Sequence, residues 1–333
     1  MLQNKRVAKQ KGCGSVRRSA APTNRRTLPM KVGDRQSSQT VWLLRTVLVV
    51  TLALPVVSAV AEDAAGKTTL RLACFNTQVL TVPGEWSRLA RFRFSPGRLR
   101  HLEGIAAVIE AVNPDILVLS EVTSSATVAT LAEILREKGL GDFRGYHLDG
   151  RDSFTGFDVA FLSRVPPDSV AGATVHLFAP AKMPRLKAVQ AGQDALPWTA
   201  EREILPRGYL PIVLGDLNDY DPDVPMADDY RTTQTEVLRH LKDINPEAEG
   251  IELVNAAQFM PRIADRFSSH WDYNENGAAD GDDVFTLIDH ILLDQRFVPG
   301  LRRAFICHAS SLEVSDHFPV VVDLDLSVVP QAP

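Results

Sequence analysis

Apolar runs that stop at an acid or an amide constrain this chain most. Leu70–Phe75 (LRLACF) ends at Asn76, and Ile116–Leu119 leads through Ser120 to Glu121. Pro211–Leu214 leads through Gly215 to Asp216, with Asn218 two residues on, and Asp316-His317 stand directly before the run Phe318–Val322. A buried strand holds its terminal residue in a fixed place. Carboxylates and carboxamides are oxygen donors, so several such ends converging on one sheet edge would build a site for a hard cation, Mg²⁺ or Mn²⁺. One acid after one strand is an ordinary turn or helix cap; the ordered set carries the signal.

The remaining pattern alternates strands and helices. Leu99, Leu102, Ile105, Ala106, Ile109 and Val112 recur at helical spacing, and Asn113-Pro114 stops that helix. Ile116–Leu119 is continuously apolar, as a strand covered on both faces would be. Ser124 or Ser125 caps a helix over about 126–138, and Gly139 follows its end. Further strands are expected at Phe157–Leu162, Pro211–Leu214, Phe285–Leu293, Ala304–Cys307 and Pro319–Leu326, with a helix at Arg231–Leu241. The expectation is one α/β domain over 62–327, layered around a central sheet, with 328–333 a loose tail.

Charge is divided unevenly. Residues 1–45 carry eleven Lys/Arg and one acid, 46–61 carry no charge, and the formal net charge of the whole chain is −5. The body is therefore acidic, which argues against a broad basic face gripping a nucleic-acid backbone. Arg91, Arg93, Arg98 and Arg100 could line one local groove or form a solvated face. Thr46–Ala61 is apolar, contains Pro55 and ends in Ala59-Val60-Ala61, the small-x-small pattern of a cleavage site. Its sixteen residues are short for a membrane helix. The reading is a basic N-region with a secretory signal, or alternatively an anchor at 46–61, so that the protein is exported to a periplasmic or extracellular space. Met30 offers a second possible start. Cys74 and Cys307 remain in the body; buried thiols are expected, with one bridge as the alternative.

Six segments in order, F-N (Phe75-Asn76), P-D-I-L-V-L-S-E (Pro114–Glu121), G-x-D-V-A-F-L-S-R (Gly156–Arg164), V-L-G-D-L-N-D (Val213–Asp219), L-I-D-H-I-L (Leu287–Leu292) and S-D-H-F-P-V (Ser315–Val320), resemble the endonuclease/exonuclease/phosphatase superfamily, the DNase I-like proteins. The resemblance implies a four-layered α/β sandwich with two packed mixed sheets flanked by helices, and metal-dependent phosphoester hydrolysis. It implies Glu121 as the main metal carboxylate with Asn76 beside it, and Asp216 as the residue that orients or deprotonates the attacking water. Asn218 would donate to a phosphate oxygen. His317 would contact the phosphate, with Asp316 holding its ring, and Asp289 would position a second histidine or assist the leaving group. His290, beside it, reads as packing or capping. The family's second catalytic His or Tyr has one candidate, His176: either a strand pair is missing and His176 is that residue, or His176 belongs to the preceding strand and the catalytic one is lost.

Asp272, Asn274, Asn276, Gly277, Asp280 and Asp283 fall on positions 1, 3, 5, 6, 9 and 12 of a calcium loop. Position 12 is Asp rather than Glu, so the loop reads either as a Ca²⁺ site or as a solvated acidic turn. The expected partner is a phosphoester substrate, nucleic acid or a small or lipid phosphate, with a monomer and no stable protein partner. A catalytically inactive binding module of the same fold is the alternative.

Overall fold

The computed structural model describes residues 50–55, 68–89, 94–150, 155–167, 204–226, 237–243, 247, 249–250, 252–274 and 276–329. Two sheets dominate. The larger has the order β11-β12-β2-β3-β5-β4, built from β2 (Thr69–Leu80), β3 (Ile116–Val122), β4 (Arg144–Leu148), β5 (Asp158–Ser163), β11 (Leu301–Ile306) and β12 (Val320–Asp325). The smaller has the order β1-β6-β10-β7, from β1 (Val50–Pro55), β6 (Tyr209–Asp216), β7 (Leu253–Asn255) and β10 (Asp289–Asp294). A two-stranded ribbon, β8 (Ser269–Trp271) with β9 (Val284–Thr286), stands apart from both.

Alternation along the strands makes the core. Leu70, Leu72, Cys74, Ile116 and Val118 of the larger sheet pack against Leu210, Ile212, Leu214, Ile291 and Leu293 of the smaller one. The intervening residues Ala73, Leu117, Leu119, Ala160 and Leu162 face the other way, onto helices α1 (Leu99–Val112) and α2 (Ser125–Glu137). A period-2 strand buried on both faces thus serves two cores at once. A third described helix, α3 (Val237–Lys242), lies beside β7 on the far side. The four-layered α/β sandwich is present, with one correction. Only the larger sheet is mixed, through the parallel pair β2/β3; every pairing in the smaller sheet is antiparallel. The parallel pair is the one whose strands are joined through a helix, α1, as parallel strands require.

The helix ends follow their expected chemistry. Ser124 Oγ accepts the Thr127 N–H at 3.2 Å, and Asn113 closes α1 in the left-handed region at φ 50°, its N–H on Ile109 O at 2.7 Å. Leu99 departs from its expected place: at the first turn of α1 it is 51 % exposed, beyond the reach of the sheet. The expected strand Phe285–Leu293 divides at Leu287-Ile288, because β9 pairs with β8 while β10 pairs with β6 and β7. The expected helix at 231–241 is described only as α3. Strands β4, β7 and β8 carry too little apolar alternation to announce themselves.

The apolar run read as a leader contributes a strand. β1 lies antiparallel on β6, Val50 opposite Leu214 and Pro55 opposite Tyr209. A branched apolar run suits an open sheet edge as well as it suits a signal, and a proline is tolerated on an edge. Among the described residues, no helix is long and apolar enough to cross a membrane. At the other end, Leu326–Val328 form a 3₁₀ turn, with Leu326 N–H on Thr68 O at 2.8 Å and Val329 packed on the core, so the tail is docked at least to residue 329. Cys74 is buried and Cys307 partly so; neither is bridged.

Candidate active site

Four elements deliver polar side chains to one mouth between the sheets. Asn76 lies on β2, immediately before the point where β2 breaks register with β3, with Gln78 and Val79 in the left-handed region. Glu121, on β3, is itself left-handed at φ 61°. That backbone is costly for a side chain with a Cβ, and it turns the carboxylate out of the strand's alternation. Asn76 Nδ2 joins the two sheets, donating to Glu121 Oε1 at 3.2 Å and to Asp216 Oδ2 at 2.9 Å. Its Oδ1 accepts the Gln78 N–H at 3.0 Å. An amide between two carboxylates is satisfied only as a donor. Here Asn76 clamps the two acids through Nδ2.

Asp216 ends β6 directly opposite Asp289 on β10. Leu217 N–H reaches Ile288 O at 2.9 Å, and Asn218, left-handed at φ 49°, sends its N–H to Asp216 Oδ1 at 3.0 Å. Asp289 is fully buried; Oδ2 accepts His317 Nδ1–H at 2.7 Å and Ser268 Oγ–H at 2.8 Å. Its Oδ1 is buried with no hydrogen-bond partner among the described residues. Ligand atoms of Asp216, Asp289 and His317 all lie within 4.8 Å of one another.

His317 corrects one expected role. The residue that holds its ring is Asp289, not Asp316, whose Oδ1 lies 3.8 Å from Nε2 on a side chain 40 % exposed. Asp316 lies at a bend with its side chain partly exposed, while the His317 ring is buried against Asp289. Asp289 therefore holds the ring of His317. His176 lies outside the described residues, as do Arg91 and Arg93; Arg100 pairs with Glu313 at 3.2 Å on the open surface. His290 is packing, as expected. It takes an Asn255 Nδ2–H on Nδ1 at 3.0 Å and gives Nε2–H to Asp219 O at 2.9 Å, and burial lowers its pKa, so it is neutral.

Electrostatics separate the two groups that would handle protons. Burial, then the facing Asp289 carboxylate, push Asp216 up to about 6, against the pull of His317 and Asn76. For His317 burial acts downward, but the charge and hydrogen bond of Asp289, then Asp316 and Asp216, raise it to about 10. The mouth thus holds a carboxylate poised to take a proton beside a lasting imidazolium.

Three supporting residues escaped the sequence reading. Ser268 Oγ holds Asp289 Oδ2 and accepts the N–H of Ile288 and of Asp289 at 3.1 and 2.9 Å. Ser315 Oγ donates to Asn76 O and accepts His317 N–H, tying the two ends of the site together. His270 N–H reaches Asp316 O at 2.8 Å, and its Nε2 meets Asp283 Oδ2 at 2.8 Å. The S-D-H motif contained the signal for Ser315; nothing in sequence marks Ser268 or His270. Through His270 the acidic loop touches the site. Within that loop Asn274 and Asn276 both donate Nδ2–H to Asp280 Oδ2, and Asp272 accepts the N–H of Asn276 and Gly277.

A family model described as Endonuclease/Exonuclease/phosphatase family matches residues 75–317. The chain belongs to this family. Its match begins one residue before Asn76 and ends on His317, so it spans every residue of the mouth. No curated protein matches the chain. Solved structures with similar folds include a 3′ phosphatase, NExo, from Neisseria bound to a product DNA hairpin (18 % identity, 77 % of this chain and 99 % of that one, TM-score 0.49). They also include an AP endonuclease from Archaeoglobus fulgidus (16 %, 77 % and 99 %, 0.48) and an endonuclease/exonuclease/phosphatase family protein from Leptotrichia buccalis (12 %, 76 % and 98 %, 0.48).

Three carboxylates, Glu121, Asp216 and Asp289, meet one imidazolium here. That negative excess, with the orphaned Asp289 oxygen and the raised Asp216, suits a divalent cation held by oxygen. The donor set fits the metal that the family implies.

Proposed function

We infer that this protein is a divalent-metal-dependent phosphoester hydrolase, with Mg²⁺ or Mn²⁺ held at Glu121 beside Asn76. The observation that carries the reading is the placement of Asp216 and the Asp289–His317 pair within 4.8 Å, with their proton affinities driven apart. The bound metal would supply charge neutralisation at the phosphoryl group and the leaving oxygen. Asp216, ionised above about 6, accepts a proton from a water as the water oxygen forms its bond to phosphorus. His317, fixed through Nδ1 by Asp289, presents Nε2–H to a phosphoryl oxygen as charge builds there. Asn218 stands beside Asp216 to donate a further hydrogen bond. The bond from phosphorus to the leaving oxygen breaks, and that oxygen takes a proton from His317 or solvent.

The test is turnover of bis-p-nitrophenyl phosphate, p-nitrophenyl phosphate and plasmid DNA with Mg²⁺. Asp216→Ala and His317→Ala should each lose about 10²-fold or more, the usual size of an acid–base contribution. Unchanged rates in both would overturn the assignment. Activity on the monoester alone assigns a phosphatase, and nicking of plasmid assigns a nuclease.

Two finer assignments go with this reading. The protein is exported, its mature N-terminus near Glu62, as the small-x-small sequence before it supports; N-terminal sequencing of the secreted form checks this. The 272–283 loop binds a structural Ca²⁺, supported by its ligand spacing. Added Ca²⁺ should raise the melting temperature, and Asp272→Ala should abolish the rise; no shift in the unsubstituted protein would remove the assignment.

A further inference from the structure

A second group of metal-ligating side chains lies away from the mouth. His147 on β4, Asp149 just after that strand and Asp158 at the start of β5 place ligand atoms within 4.8 Å of one another. They converge because β4 and β5 are antiparallel partners, His147 opposite Ala160 and Leu148 opposite Val159, so the two acids flank the mouth of the hairpin. The face matters as well. Ala160 and Leu162 pack toward α1 and α2, while Val159 and Phe161 fill the space between the sheets. By strand alternation His147 and Asp158 share the helix-facing side with Ala160, whereas Asn76 shares the inter-sheet side with Cys74. The two clusters are therefore on opposite faces of the larger sheet.

The contacts within the group are not those of an ordinary ion pair. The His147 side chain is only 5 % exposed, and its Nε2 is buried without a hydrogen-bond partner. Asp158 Oδ2 is nonetheless 3.2 Å from that nitrogen. The two atoms are close but out of line, so a ring N–H would not point at the oxygen. Two ligands of one ion stand in that relation: bonds of about 2.0–2.2 Å to a tetrahedral or octahedral centre put neighbouring donor atoms about 2.8–3.6 Å apart. Asp158 is also held for the task, since its Oδ1 accepts the Gly150 N–H at 2.6 Å and leaves Oδ2 facing the ring. Asp149, 96 % exposed with Oδ1 3.5 Å from the other ring nitrogen, is close enough to swing in as the third donor.

We propose that His147, Asp158 and Asp149 form a second metal site, separate from the mouth, that takes a borderline transition-metal ion such as Zn²⁺. One imidazole with two carboxylates suits zinc or manganese rather than magnesium, which avoids nitrogen. The site ties β4, the edge strand of the larger sheet, to β5. It is structural, and water completes the coordination shell.

Equilibrium dialysis of the metal-stripped protein against Zn²⁺, with excess Mg²⁺ present to fill the oxygen-lined mouth, tests the proposal. The unsubstituted protein should retain one equivalent of zinc more than His147→Gln or Asp158→Asn, and Mg²⁺-supported turnover of both variants should stay within about twofold of the parent. Co²⁺ in place of zinc should give visible absorption that both variants lose. Equal zinc retention by the parent and the variants would sink the proposal. Should either substitution prevent folding, the His147 ring resonances of the unsubstituted protein decide: a shift saturating with one equivalent of Zn²⁺ supports the site, and no shift overturns it.

Discussion

At the residue scale the Asp289–His317 pair sets the pH behaviour. The raised His317 keeps its charge to about 10, so the stability it contributes is present below an ordinary imidazole pKa and is lost as pH rises through about 10. Asp216 is raised too, and below about 6 it is protonated and unable to accept a proton from water. kcat/KM should therefore climb through about pH 6 and fall toward about pH 10. Asp289→Asn removes the charge that faces both groups. The imidazole should then titrate below about 10, the alkaline limb should move down with it, and turnover should drop. NMR titration of the His317 ring checks the first effect and a pH–rate profile the second; an unmoved ring pKa would refute the pairing. Glu121 was legible from sequence as a strand-end acid. Its left-handed backbone was not, because no residue type at that position signals it.

At the element scale, α3 is fastened to the loop that follows β6. Lys242 Nζ lies 2.6 Å from Asp221 Oδ1 and also bonds Asp223, while Asp221 Oδ2 accepts Asn255 Nδ2–H at 2.9 Å. Although burial works against it, the hydrogen bonds from Lys242 and Asn255 hold Asp221 below the usual carboxylate range. Its share of the stability is thus present at neutral pH and is lost as pH falls through that lowered pKa. Lys242→Met leaves the fully buried Asp221 carboxylate without its cation and should cost about 3–5 kcal/mol at neutral pH in denaturant unfolding. The loss should shrink on acidification, and adding Asp221→Asn should recover most of it; a loss that ignores both would mean that the pair does not matter. The sequence predicted this helix as part of one at Arg231–Leu241. The pairing spans 21 residues and joins the end of the helix to a loop, where no periodicity reports it.

At the scale of the whole molecule, the six ordered segments carried the fold and most of the mouth, because buried strands and their terminal acids leave local marks. What stayed hidden depends on non-local partners. Ser268 is 21 residues from the aspartate it holds, and the choice of Asp289 over Asp316 for the His317 ring depends on which strand lies opposite. Strand β4 was missed for a related reason: an edge strand with polar ends has no alternation to display. The antiparallel character of the smaller sheet is likewise set by neighbours far apart in sequence. Its outermost strand, β1, has a consequence of its own. Cleavage at the small-x-small site would strip Val50–Pro55 from the sheet and bare the peptide groups of β6 from Tyr209 to Leu214. Maturation would then be a change of architecture as well as of length, with a newly opened rim two strands from β7 and continuous with the strand that bears Asp216.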